Sequence, residues 1–159
     1  MQRHFDVSTL SAQRKSMREL LENFRGTLHA GLDGHDPRVY EMMKYVHLHL
    51  FRRSLSVDEI KEACRCRNNN IVTLFKQEVE TDIRHYIACM RLDAAAYVMR
   101  REKVTISLLA TCVGYTEELF WRDFKANYGC TPLQFMKAHC EELQPEQPVK
   151  MPDQDALSR

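Results

Sequence analysis

Glycine and proline are scarce, at five each in 159 residues, and there is one tryptophan. With so few chain breakers, and apolar residues recurring at helical spacing almost everywhere, the expectation is an all-α protein. No apolar run approaches the roughly 18 residues of a membrane span. The N-terminus lacks the apolar segment of a signal peptide, so a soluble, cytoplasmic chain is expected. No C-x-x-C pair occurs among the six cysteines. Cys64 and Cys66, like His47 and His49, stand two apart and so point to different faces of a helix. No metal site and no disulfide framework follow, and the cysteines read as small buried hydrophobes in a reducing compartment. There is also no Gly-rich phosphate loop, nucleophile motif or ligand cluster, so neither catalysis nor a cofactor is expected.

What is present is a core-forming composition, 44% hydrophobic and 28% charged, in about one domain's length of chain. The formal net charge of +1 hides an uneven distribution. Residues 1–37 carry five basic and five acidic groups, residues 38–140 carry 16 and 12, and residues 141–159 carry two and five. A mildly basic middle with an acidic tail is compatible with DNA binding.

Along the chain, residues 8–30 form an amphipathic helix with Leu10, Met17, Leu20, Leu21, Phe24 and Leu28 on one stripe. A Gly- and Asp-rich linker, 30–37, leads to a second helix capped by Asp36 with Pro37 at its first position. Its buried face is Val39, Met42, Met43, Val46 and Leu50. Ser56 with Glu59 three residues on is a capping box for a third helix. Asn68 or Asn69 caps a fourth, with Ile71, Leu74 and Phe75 inward. A long helix follows over 82–101, its stripe being Ile83, Tyr86, Ile87, Met90, Ala94 and Val98. Short helices over 105–113 and 116–128 are separated at Val113-Gly114-Tyr115, and Gly129 suits the left-handed position that ends the second. Thr131-Pro132 caps a last helix reaching about His139, and the Pro-rich tail from Gln144 onward reads as disordered. The organisation is two helix–turn–helix units, 56–80 and 105–128, joined by one long helix and preceded by an amphipathic one.

This arrangement resembles the DNA-binding domain of the AraC/XylS family of bacterial transcription regulators, over about Val39 to Ala138. The segment ISLLATCVGYTEELFWRDFKANYGCTPLQF is similar to the family signature through Ile106, Leu109, Ala110, Gly114, Tyr115, Phe120, Phe124, Lys125, Gly129, Thr131 and Pro132. Tyr86, Arg91, Leu92 and Ala95 match in the bridging helix, where Tyr86 and Arg91 read as structural. The residue types have their own reasons. Ala110 is small where two helices cross closely, Gly114 can take positive φ, and Phe120 and Phe124 pin one face of a helix to the core. The opposite face is then free to enter a major groove, which admits one α-helix.

The resemblance implies one protomer reading two successive major grooves of double-stranded DNA. In the first unit, Asn69, Val72 and Thr73 fall on reading positions, with Asn68 and Lys76 near phosphates. In the second, Glu117, Glu118, Trp121 and Arg122 fall on reading positions, with Lys125 on the same presented face. Asn to adenine and Arg to guanine are the contacts to expect. Trp121 reads more readily as packing than as base contact, and Glu117-Glu118 also complement the helix dipole.

Four positions of the first unit depart from the family pattern. Lys61 stands for a small residue, Arg65 for the turn glycine, Arg67 for a capping serine and Glu80 for a following glycine. Lys61 must snorkel or push the helices apart. The turn before the second reading helix is also one residue short of the pattern. The division expected is therefore 1–36 as helical extension and linker, 37–140 as the DNA-binding domain and 141–159 as acidic tail. About 35 N-terminal residues cannot form a β-barrel effector domain, so no fused small-molecule sensor is expected, and the initiating Met1 speaks against a fragment of a larger regulator. The N-terminal stripe either covers the domain core or pairs with a second copy, giving a homodimer. By resemblance the chain activates transcription through contact with RNA polymerase. The alternative from another class is a protein-interaction module of the same fold that modulates another regulator or the polymerase.

Overall fold

The computed structural model describes residues 7–142, with the side chains of 140–142 excepted, and the acidic tail expectation lies outside the described residues. Among these residues the structure is all helical: α1 (Val7–Thr27), a 3-10 turn (Leu28–Gly31), α2 (Pro37–His49), α3 (Val57–Ala63), α4 (Asn70–Val79), α5 (Ile83–Met99), α6 (Ile106–Cys112), α7 (Glu117–Tyr128) and α8 (Pro132–Glu142). No helix among them is long and apolar enough to cross a membrane.

Local chemistry sets most helix starts. Asp36 accepts from the Arg38 amide ahead of Pro37, and Asp82 accepts from the His85 amide to start α5. Thr116 accepts from the Leu119 amide to start α7. Thr131 and Gln134 cap reciprocally at the head of α8, each amide donating to the other side chain. That helix runs to Glu142, three residues beyond the expected end. At α3 only half of the expected capping box forms: Ser56 accepts from the Glu59 amide, while the Glu59 carboxylate takes the Tyr45 hydroxyl at 2.7 Å and the Arg52 guanidinium.

Two apolar clusters meet on α5. Its N-terminal half, through Ile83, Tyr86 and Ile87, packs with Val39, Met42, Val46 and Leu50 of α2, Ile60 of α3 and Ile71 and Phe75 of α4. Its C-terminal half, through Leu92, Ala94, Ala95, Ala96, Val98 and Met99, packs with α6, α7, α8 and Met17 and Leu21 of α1. Serving both clusters removes the one-sided pattern expected of α5: several of its faces are buried, while Met90 is only half-buried. Phe24 and Phe51 touch both clusters and join them.

Arg91 is a second joint. Its guanidinium donates to the Leu50 and Arg52 carbonyls at 2.8 and 2.7 Å, satisfying the end of α2 from the middle of α5. Of the stripe on α1, Met17 and Leu21 are buried against α5 and α6, and Leu20 and Phe24 pack beside them. Cys64, Cys66, Cys89, Cys112 and Cys130 are free and half-buried, not core residues as expected. Burial raises the pKa of Cys64, Cys89 and Cys112, which keeps them as thiols. Among the described residues no three His, Cys, Asp or Glu converge as metal ligands would.

Candidate nucleic-acid interface

Both helix–turn–helix units close with the same backbone turn. In the second unit the Tyr115 amide donates to the Ala110 carbonyl at 2.9 Å and the Gly114 amide to Thr111 at 3.2 Å, with Gly114 at φ +87. In the first, the Cys66 amide donates to Lys61 at 2.8 Å and the Arg65 amide to Glu62 at 3.0 Å, with Arg65 at φ +54. These are paired six-to-one and five-to-two bonds that end a helix on a left-handed residue, a geometry glycine adopts without steric cost. The reading helices end alike, with Glu80 at φ +61 after α4 and Gly129 at φ +73 after α7. Arg65 and Glu80 are the two positions where the sequence lacks the expected glycines, and the backbone keeps the glycine conformation at both.

Gly114 is held for a second reason. A Cβ there would stand 3.0 Å from the Phe51 carbonyl oxygen and 3.1 Å from Arg91 Cζ, whereas a Cβ on Gly129 would meet nothing within 4 Å. The buried residues of the reading helices match in register as well, Ile71 and Phe75 in α4 answering to Phe120 and Phe124 in α7. Counted in residues, neither unit is longer than the other between turn and helix end. They differ in the first turn of the reading helix. α7 is regular from Glu117, directly after its Thr116 cap. α4 becomes regular only at Asn70: Asn69 stands at the N-cap position without a capping bond, and the Asn68 side chain accepts from the Asn70 amide at 3.1 Å.

The outward face of α4 presents Asn68, Asn69, Thr73 and Lys76 exposed, with Val72 half-buried against the N-terminal cluster. The outward face of α7 presents Glu117, Glu118, Arg122 and Lys125 exposed. Trp121 is half-buried and packs against the C-terminal cluster, the packing role expected of it.

Two internal bonds shape these faces. Lys61 Nζ donates to Asn69 Oδ1 at 2.8 Å, so the lysine snorkels outward from the helix crossing onto the reading face. Arg122 Nε donates to Asp123 Oδ1 at 3.0 Å, while the Tyr115 hydroxyl reaches Asp123 Oδ2 at 3.4 Å. Burial pushes the Tyr115 pKa up to about 12, so the phenol stays a donor. The Tyr128 hydroxyl donates to Asp93 Oδ1 at 2.5 Å, fixing the far end of α7 to α5. Lys61 and Asp123 thus bond to residues of the two candidate faces, contacts that the sequence pattern did not give. The signal for Lys61 was in the sequence, because a lysine forced out of a crossing has to arrive somewhere.

No protein-family model matches the chain. The chain is 25% identical over 100 residues to the Msm operon regulatory protein of Streptococcus mutans, covering 62% of this chain and 36% of that protein. It is 24% identical over 83 residues to an uncharacterized HTH-type transcriptional regulator of Haemophilus influenzae, covering 52% of this chain and 28% of that protein. The chain thus spans about a third of the length of the curated relatives it matches. Among solved structures it is similar to the C-terminal domain of AraT, a response regulator from Geobacillus stearothermophilus, with TM-score 0.67 and 22% identity over 73% of this chain and 98% of that one. It is also similar to an AraC-type transcriptional regulator structure from Chromobacterium violaceum, with TM-score 0.57 and 20% identity over 69% and 95% of the two chains. The chain therefore has the fold of the AraC-type DNA-binding domain.

Proposed function

We propose that this chain is a sequence-specific DNA-binding transcription regulator that reads two adjacent major-groove segments from one protomer. The observation that carries this reading is the repetition: two units with the same closing turn and the same buried register, each leaving one face of its second helix exposed, joined by α5 and Arg91. In the first segment Asn69, Val72 and Thr73 meet bases while Asn68 and Lys76 meet phosphates. In the second Arg122 meets a base edge and Lys125 a phosphate, with Glu117 and Glu118 placed to accept from cytosine N4. Trp121, half-buried, packs against the C-terminal cluster. The chain acts in the cytoplasm as an activator, through contact with RNA polymerase. Since Met17 and Leu21 are taken up inside the chain, the reading adopted is a single copy on DNA rather than a homodimer through α1.

A second reading, the protein-interaction module, draws on the acidic opening of α7 and on the internal Arg122–Asp123 pair, both of which weaken attraction to phosphates. Fluorescence anisotropy on a duplex the protein has selected separates the two. DNA reading predicts that Lys125→Ala lowers affinity across all sequences and reduces the slope of log affinity against log salt by about one. Arg122→Ala should cost about 1–3 kcal/mol on the selected duplex and little on a scrambled one. Equal, small effects on both duplexes would favour the interaction module.

A further inference from the structure

The bond from Lys61 to Asn69 bears on which base the first unit accepts, given the DNA-reading function proposed above. An ammonium has donors only, so the carboxamide must turn its oxygen to Lys61, and the 2.8 Å contact is to Oδ1. The carboxamide then presents its Nδ2 donor outward, with the Nζ donors of Lys61 beside it. A free asparagine reads adenine by accepting from N6 and donating to N7. Here an adenine amino group approaching Oδ1 meets a fixed positive charge, a donor against a donor. Guanine offers two acceptors, O6 and N7, at the same edge, which match the pair of donors.

The surroundings point the same way. Arg65 and Arg67 are both exposed beside the start of α4, so this end of the helix favours an acceptor-rich edge. The second unit lacks the arrangement, because Ala110 holds the place of Lys61 in its turn. We infer that Lys61 is a specificity-determining residue that converts Asn69 from an adenine reader into a guanine reader, so that the first segment of the site carries guanine at the Asn69 position.

Parallel selection from a random duplex pool tests this, using the full chain as wild type, Lys61→Ala and Asn69→Ala. Asn69→Ala identifies the position by flattening the preference there. The wild type is expected to enrich guanine at that position, and Lys61→Ala to shift the guanine-to-adenine ratio toward adenine on the order of tenfold with the rest of the motif unchanged. Alanine at 61 reproduces the small residue of the second unit, and an unchanged second segment certifies that the variant is folded. Adenine in the wild type, or guanine retained in Lys61→Ala, overturns the inference while leaving DNA reading intact. If no variant enriches any motif, the DNA-reading function fails and this inference falls with it.

Discussion

Arg65 and Glu80 hold left-handed backbone with full side chains, at φ +54 and +61. Such residues carry on the order of 1 kcal/mol or more of strain, part of which glycine returns through unfolded-chain entropy. Arg65→Gly and Glu80→Gly should each therefore stabilise the fold by about 0.5–1 kcal/mol, seen as a higher urea midpoint with unchanged slope. Glycine at the matching positions should behave differently. Gly129→Ala meets only the backbone penalty and should cost about 1 kcal/mol, whereas Gly114→Ala also drives a methyl into the Phe51 carbonyl and Arg91 and should cost about 2 kcal/mol or more. Equal costs at the two glycines would contradict the close approach at Gly114. A second residue-scale feature is His47, 2% exposed, with Nε2 2.5 Å from the Tyr86 hydroxyl and Nδ1 buried without a partner. Burial, with a smaller push from His29, lowers its pKa to about 4. Because the unfolded chain binds that proton more readily, the stability from neutral His47 is complete above about pH 6.5 and drains as pH falls toward 4. Unfolding free energies from urea titrations should fall between pH 7 and 4 by up to about a few kcal/mol in the wild type and fall less in His47→Gln.

Among the elements, α1 covers the domain core, one of the two roles expected of its stripe, with a measurable effect. Met17 and Leu21 enter the same cluster as Phe120 and Phe124, while Phe24 also touches the N-terminal cluster, so α1 packs mainly under the second unit. Met17→Ala should cost about 2–4 kcal/mol, and hydrogen exchange should speed up in α6 and α7 before α3 and α4. Protection lost first in α3 and α4 would contradict this packing. Much at this scale was legible from the sequence. The caps read at Asp36, Ser56 and Thr131 form, since capping is local chemistry, whereas Asn69 makes no capping bond and Asp82 and Thr116 cap helices without having been singled out for it. The left-handed positions at Arg65 and Glu80 were legible only through the resemblance, whose pattern has glycine at both. Side-chain destinations were not legible. Glu59 left its capping box for Tyr45 and Arg52, Lys61 reached Asn69, and the stripe of α1 had two surfaces it could have covered. Those choices depend on which elements meet in space, and no spacing within one helix encodes that.

At the scale of the whole molecule, the proposed function needs two DNA-reading helices held at a fixed separation. α5 spans both clusters, Phe24 and Phe51 bridge them, and Arg91 ties the end of α2 to the turn at Gly114. Rigid coupling of this kind fixes the spacing of the two DNA segments, so inserting base pairs between them should abolish simultaneous reading. The measurement that tests this most directly is selection of bound duplexes from a random pool by the wild-type chain, with the winning motif aligned and then respaced. The account predicts two enriched segments whose centres lie about 10 base pairs apart, one helical turn, with affinity lost when the spacing is changed by half a turn. A motif confined to a single segment, or two segments that tolerate any spacing, would contradict it.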